Sequence, residues 1–148
     1  MQVGLLGAHL IHERRANLLK KQPRVFRVPL TRYRENLQRM IDLVRRIPAE
    51  PILVTAPSDI EPDAPAKALP FLDDLNSTGY ETPKSLHDTY CEATRDVART
   101  TGTRLADAAT IFEGRTGLIL KDHMHLTPAG IEQMAELLAA EVVASLGH

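Results

Sequence analysis

Pro51-Ile52-Leu53-Val54-Thr55-Ala56-Pro57-Ser58 decides the fold class. Ile52 to Val54 is an uninterrupted apolar run, rich in β-branched residues and closed on both sides by proline. A half-exposed strand would alternate apolar and polar residues. A continuous apolar run instead fits a strand buried on both faces, as in parallel sheets covered by helices. On either side the pattern turns helical. Upstream, Tyr33, Leu37, Met40, Ile41 and Val44 recur at i, i+4, i+7, i+8 and i+11. This predicts a helix with one apolar stripe, capped by Thr31 and ended by Pro48. Downstream, a helix is expected from Ser85, as N-cap, to Thr101, with Leu86, Tyr90, Val97 and Ala98 inward and Gly102 closing it. Thr103 to Ala106 reads as a second short strand ending at Asp107, and Ala108 to Phe112 as a turn of helix. Thr127 as N-cap and Pro128 at the first position open the last helix. Its apolar positions are Ile131, Met134, Ala135, Leu138 and Val142. The alternation of helix and strand predicts an α/β layer with a parallel sheet.

Other segments are less regular. Leu5 to Lys20 reads as a helix interrupted by Gly7, His9 and His12. Ser58 to Pro83 reads as a long loop, broken by Pro62, Pro65, Pro70 and Pro83, and long structureless loops are usually functional or mobile. Leu69, Phe71, Leu72 and Leu75 are expected to dock part of it on the core. Gly114 to Lys121 is a glycine-punctuated connection with a small apolar run at Leu118-Ile119-Leu120.

Composition narrows the function classes. The chain has 148 residues, a single-domain length, with 43% hydrophobic and 25% charged residues and a formal net charge of −1. A chain of this size buries about 68–70% of its unfolded surface, enough for a core without disulfides. No basic excess points to nucleic acid. With 4% aromatic residues and no Trp, the stacking platforms of single-strand binders are missing. Cys91 is the one cysteine, which excludes an intramolecular disulfide and a cysteine-cluster metal site. No run of about 18 apolar residues predicts a membrane span. Met1 to Ile11 lacks the flanks of a signal peptide, so the expected location is cytoplasmic. Arg14, Arg15, Lys20, Lys21, Arg24 and Arg27 read as a solvated basic face.

The chemistry gathers in Lys121-Asp122-His123-Met124-His125-Leu126-Thr127-Pro128-Ala129-Gly130. Asp122 stands three residues before His125 on a turn that leads into a helix. There a carboxylate can hold Nδ1 of the imidazole and leave the other nitrogen as general base. The same spacing also suits a capping turn with an exposed Asp and His. His123 and His125 form H-x-H, which raises a small metal-dependent hydrolase as an alternative, although spacing suggests no third ligand. His9 and His12 read as ordinary helix residues. Ser58 follows the first strand at the end where α/β sites gather. Ala56-Pro57-Ser58-Asp59 is not a nucleophile elbow, so Ser58 reads as a loop serine capping a turn; Ser77 and Ser85 are weaker candidates. Cys91, beside Tyr90 and without an evident activating neighbour, reads as inert packing.

Asp122-x-x-His125-Leu126-Thr127-x-x-Gly130, followed by an apolar-faced helix, resembles the last conserved block of the SGNH (GDSL-type) hydrolases. Arg27 to Ile41 resembles the helix before a central strand of that family, Ile52 to Ser58 that strand and its loop, and His87 to Asp107 the next helix and strand. The likeness covers roughly residues 25 to 146. It implies a flavodoxin-like three-layer α/β/α domain and hydrolysis of carboxylic esters by a serine, with no cofactor. The substrate class implied is a small-molecule, carbohydrate or lipid ester. Asp122 and His125 match the family's base element. No G-D-S and no G-x-N-D occurs in the chain, so the nucleophile and the oxyanion Gly and Asn have no counterpart. The expectation is therefore a single partial SGNH-type domain over residues 1–148, lacking N-terminal strands and inactive as it stands. The alternative from another class is a non-catalytic binding or assembly domain whose exposed sheet edge is covered by a partner or a second copy.

Overall fold

Proline at position 29 sets the entry into the first helix. Its φ of −56° suits a chain about to turn helical, and its carbonyl accepts the N–H of Tyr33 at 2.9 Å. In the computed structural model, which describes residues 28–63 and 82–146, helix α1 therefore spans Leu30–Val44, and Thr31 lies inside its first turn rather than capping it. Then follow β1 (Ile52–Val54), α2 (Pro83–Thr101), β2 (Arg104–Ala106), α3 (Ala108–Phe112) and α4 (Pro128–Leu146). The helix expected over Leu5 to Lys20, the basic run, His9, His12, Ser77 and the docking residues Leu69, Phe71, Leu72 and Leu75 lie outside the described residues.

Helix α1 packs on α2. Leu37, Ile41 and Val97 form the buried centre of this contact, with Tyr33 and Leu53 against it. Met40, placed on the same stripe by periodicity, is exposed. Tyr33 meets Tyr90 edge to face at 5.0 Å, a favoured aromatic geometry, and its hydroxyl bonds Thr94 Oγ1 at 2.9 Å. Arg34 pairs with Asp96 at 3.1 Å. Hydrogen bonds from Arg99 first, then Arg34, hold the Asp96 carboxyl below its ordinary range. The N-terminus of α2 corrects the sequence expectation. Thr82, not Ser85, is the N-cap, and Ser85 completes a reciprocal capping box from the third helical position. Gly102 ends the helix at φ 62°, a conformation that costs glycine least.

β1 and β2 pair in parallel, with Leu53 opposite Leu105, as a two-stranded sheet among the described residues. Mixed helix and strand with a parallel sheet is thus the α/β class expected. Burial on both faces is not observed: Ile52 and Leu53 are half-buried and Val54 is exposed. The reason is coverage. Among the described residues each strand has one hydrogen-bonded neighbour, so both strands are edges and flanking side chains protect only part of the run.

A second core lies around α3. Ala108, Phe112 and Ile119 are buried there, with Ile111, Leu118, Leu126, Met134 and Leu137 against them. Thr127 caps α4 as expected: its hydroxyl accepts the Gly130 N–H at 3.1 Å and donates to the Gly117 carbonyl at 2.8 Å. The buried face of α4 overlaps the expected one only in part, at Met134 and the half-buried Leu138. Met134 and Leu137 reach the core, whereas Ile131, Ala135 and Val142 are exposed. No helix among the described residues is long and apolar enough to cross a membrane.

Candidate active site

The segment between Leu118 and Thr127 doubles back on itself. Ile119 and Leu126 form an antiparallel bridge. Leu120 N–H donates to the His125 carbonyl at 2.7 Å, His123 N–H to Leu120 at 2.9 Å, and Thr127 N–H to Leu118 at 2.9 Å. The tip of this tight turn is Asp122 to His125.

Asp122 organises the tip. Its Oδ1 accepts the backbone N–H groups of Met124 at 3.1 Å and His125 at 3.0 Å. Its Oδ2 pairs with His125 Nδ1 at 2.6 Å. The backbone N–H of His125, then its ring, then the Met124 N–H lower the Asp122 carboxyl to about 2. The carboxylate is therefore charged at neutral pH and takes Nδ1–H as a donor. Nε2 is then the unprotonated nitrogen of the neutral ring. Nε2 has no partner among the described residues, and the side chain is 78% exposed. Asp122 and His125 are thus brought together on an exposed turn, which Asp122 also caps through the backbone N–H groups of Met124 and His125.

His123 is the surprise of the turn. Its Nδ1 lies 2.8 Å from Oδ1 of Asp59, in the loop after β1. The two H-x-H imidazoles thus take separate carboxylates rather than one ligand. Among the described residues no group of three or more His, Cys, Asp or Glu side chains could hold a metal ion, so the metal alternative finds no third ligand there.

Ser58 lines a polar cavity of about 490 Å³ with Lys84, His87, Arg95 and Thr110. It also borders a neighbouring hollow of about 430 Å³ with Asp59 and Phe112. No hydroxyl or thiol among the described residues bonds His125 Nε2. Ser85 is committed to the capping box. Cys91 is buried as expected, but it does have a ring beside it: His87, one helical turn earlier, places Nε2 at 3.6 Å from Sγ. The i, i+4 spacing was the available signal. Burial nonetheless pushes the Cys91 thiol up, so it stays protonated and packs as a small apolar group.

Below the cavity lies a network that sequence reasoning missed. Asp107, just after β2, accepts Arg95 Nε and Nη2 at 2.9 Å each, Thr55 Oγ1 at 2.7 Å and Thr110 Oγ1 at 2.8 Å. Burial works against its charge, but the bonds from Arg95, Thr55 and Thr110 outweigh it and hold the carboxyl at about 2. Thr55 Oγ1 also accepts the Ala109 N–H at 2.9 Å. One carboxylate thus ties together both strand ends, α2 and α3.

Comparison with protein-family models, with curated proteins and with solved structures finds no match for this chain.

Proposed function

We propose that Asp122 and His125 are the general-base element of an SGNH-type ester or acyl hydrolase, acting on a small-molecule, carbohydrate or lipid ester, within a flavodoxin-like fold. The supporting observation is the 2.6 Å contact between His125 Nδ1 and Asp122, which leaves Nε2 as an exposed acceptor. In acyl hydrolysis this nitrogen takes the proton from the attacking hydroxyl and returns it to the leaving group, while the carboxylate steadies the imidazolium between those steps. The chain carries no G-D-S motif, so the reading predicts a base without its serine. With p-nitrophenyl acetate, the purified chain should show only slow esterolysis by the free imidazole. His125→Ala should remove most of that rate, and a fluorophosphonate probe should label no serine. Labelling of Ser58, with turnover lost in Ser58→Ala, would give the chain its own nucleophile. An unchanged rate in His125→Ala would remove the proposed base.

A second reading, non-catalytic assembly through a second copy of the chain, is favoured by the outward face of α4. Ile131 is 59% exposed, Val143 69% and Leu146 80%, and Val54 of β1 is exposed nearer the sheet. Exposed large apolar side chains at these positions are the kind that association covers. Light scattering should then give twice the monomer mass, reduced to one in Val143→Lys/Leu146→Lys. A well-folded monomer at high concentration would sink this reading.

A further inference from the structure

His123 is the one non-glycine residue among the described residues with positive φ, at 66°. A side chain with a Cβ adopts this left-handed backbone at a free-energy cost that glycine escapes. What the histidine adds in return is a single long-range bond: its Nδ1 meets Asp59 Oδ1 at 2.8 Å, across 64 residues of sequence. Asp59 is itself 41% exposed, and the next residue, Ile60, is buried.

The consequence falls on His125. With 78% of its side chain exposed, packing does not fix its ring. Its position relative to the sheet depends on the turn that carries it. That turn is anchored at its base by the Ile119–Leu126 bridge and by the bond from the Thr127 N–H to Leu118. At its tip, the side-chain bond to the body of the protein among the described residues is the one between His123 and Asp59. We propose that the Asp59–His123 pair is a strap that holds the Asp122–His125 turn against the loop after β1, making both strap residues positioning residues for His125. The functional meaning of the strap rests on the reading of His125 as a base; its mechanical claim does not.

The variants are chosen to separate backbone from side chain. His123→Gly relieves the left-handed backbone and removes the imidazole. Asp59→Ala removes the acceptor, and Asp59→Asn keeps an oxygen that can accept the same bond. In the full chain, hydrogen exchange followed by NMR reads the Met124 and His125 amides, and ring ¹⁵N shifts read the tautomer of His123. In both His123→Gly and Asp59→Ala, exchange at those two amides should rise about tenfold while the melting temperature stays within about 3 °C of the parent. Contacts between the turn and residues 58–60 should weaken in the same two variants. Asp59→Asn should restore slow exchange and the Nδ1–H tautomer of His123. The double variant should be no worse than either single one. Unchanged exchange and unchanged turn-to-loop contacts in both variants would overturn the strap. Failure of Asp59→Asn to rescue would overturn the assigned bond. Esterolysis is read in parallel: an inert parent would count against His125 as a base and leave the strap judged by exchange alone. An active parent whose rate is untouched in Asp59→Ala would overturn the positioning role.

Discussion

Gly130→Ala should lower the unfolding free energy by about 3 kcal/mol or more, although alanine is the better helix former by about 1 kcal/mol. Gly130 is buried in the first turn of α4. A Cβ there would overlap the carbonyl oxygen of Leu118 and stand 3.0 Å from its carbonyl carbon and 3.2 Å from Leu126 Cβ. The obstacle is backbone, not the end of a pliant side chain, so the start of α4 must move away from the doubled-back segment. That shift strains the Thr127 N–H bond to Leu118 and the packing of Leu126 in the second core. Folded domains have only about 5–15 kcal/mol to lose. Urea unfolding followed by circular dichroism checks the value. Ala129→Gly, at the exposed neighbouring position, should cost only about 1 kcal/mol. If Gly130→Ala proves as stable as the parent, the close approach of α4 to Leu118 is wrong. The glycine of the Asp122-to-Gly130 block is therefore explained by packing alone, whatever the chemistry of the histidine.

Asp107→Ala should cost about 2–4 kcal/mol. Breaking a well-bonded pair strands the groups left behind. Thr55 is 1% exposed, and its hydroxyl proton goes to Asp107, so the variant removes its acceptor among the described residues. Arg95 and Asp107 are each 29% exposed, so solvent screening keeps the loss below that of a fully buried pair. The same carboxylate predicts an acid limb. Its folded pKa, about 2, lies below the ordinary 3.8, so the unfolded chain binds the proton more readily. The stabilisation is complete above about pH 4 and is lost as pH falls through 2. Asp122, also near 2, titrates in that region, and the Asp96 carboxyl is lowered as well. The difference between parent and variant therefore isolates Asp107. Unfolding curves at pH 6, 4 and 2.5 should show the gap between parent and Asp107→Ala narrowing as acid is added. A gap independent of pH would mean that the charge of Asp107 is not what holds the network.

Local order was legible where physics acts locally. Ala108 to Phe112, the Thr127 cap and Gly102 follow from residues a few positions apart, and the Asp122–His125 pair follows from a spacing of three on a turn. What was not legible joins distant residues. Asp59 with His123 and Thr55 with Asp107 lie 64 and 52 positions apart, and no periodic pattern marks either pair. The face of α4 was misread for another reason. Apolar residues occur nearly all round that helix, at Ile131, Met134, Leu137, Leu138, Val142, Val143 and Leu146, so the 3.6-residue period selects no single side. For α1 the period did place Leu37 and Ile41 inward, but the stripe drawn through Met40 was wider than the surface α2 covers. The spacing of three brought Asp122 and His125 into contact, while the network beneath, built on Thr55, Arg95 and Asp107, carried no motif.

The bond from the Ala109 N–H to Thr55 has a consequence for how the molecule assembles. A helix of five residues is far too short to persist by itself in water. α3 borrows its first-turn acceptor from the end of β1, more than fifty residues earlier, so it gains that bond only once the two strands are in register. Phe112, at the far end of α3, is the largest side chain of the second core. That core is therefore subordinate to strand pairing. The ground beneath the His125 turn draws part of its stability from the closure of β1 onto β2, and a change that weakens strand pairing should loosen that core as well.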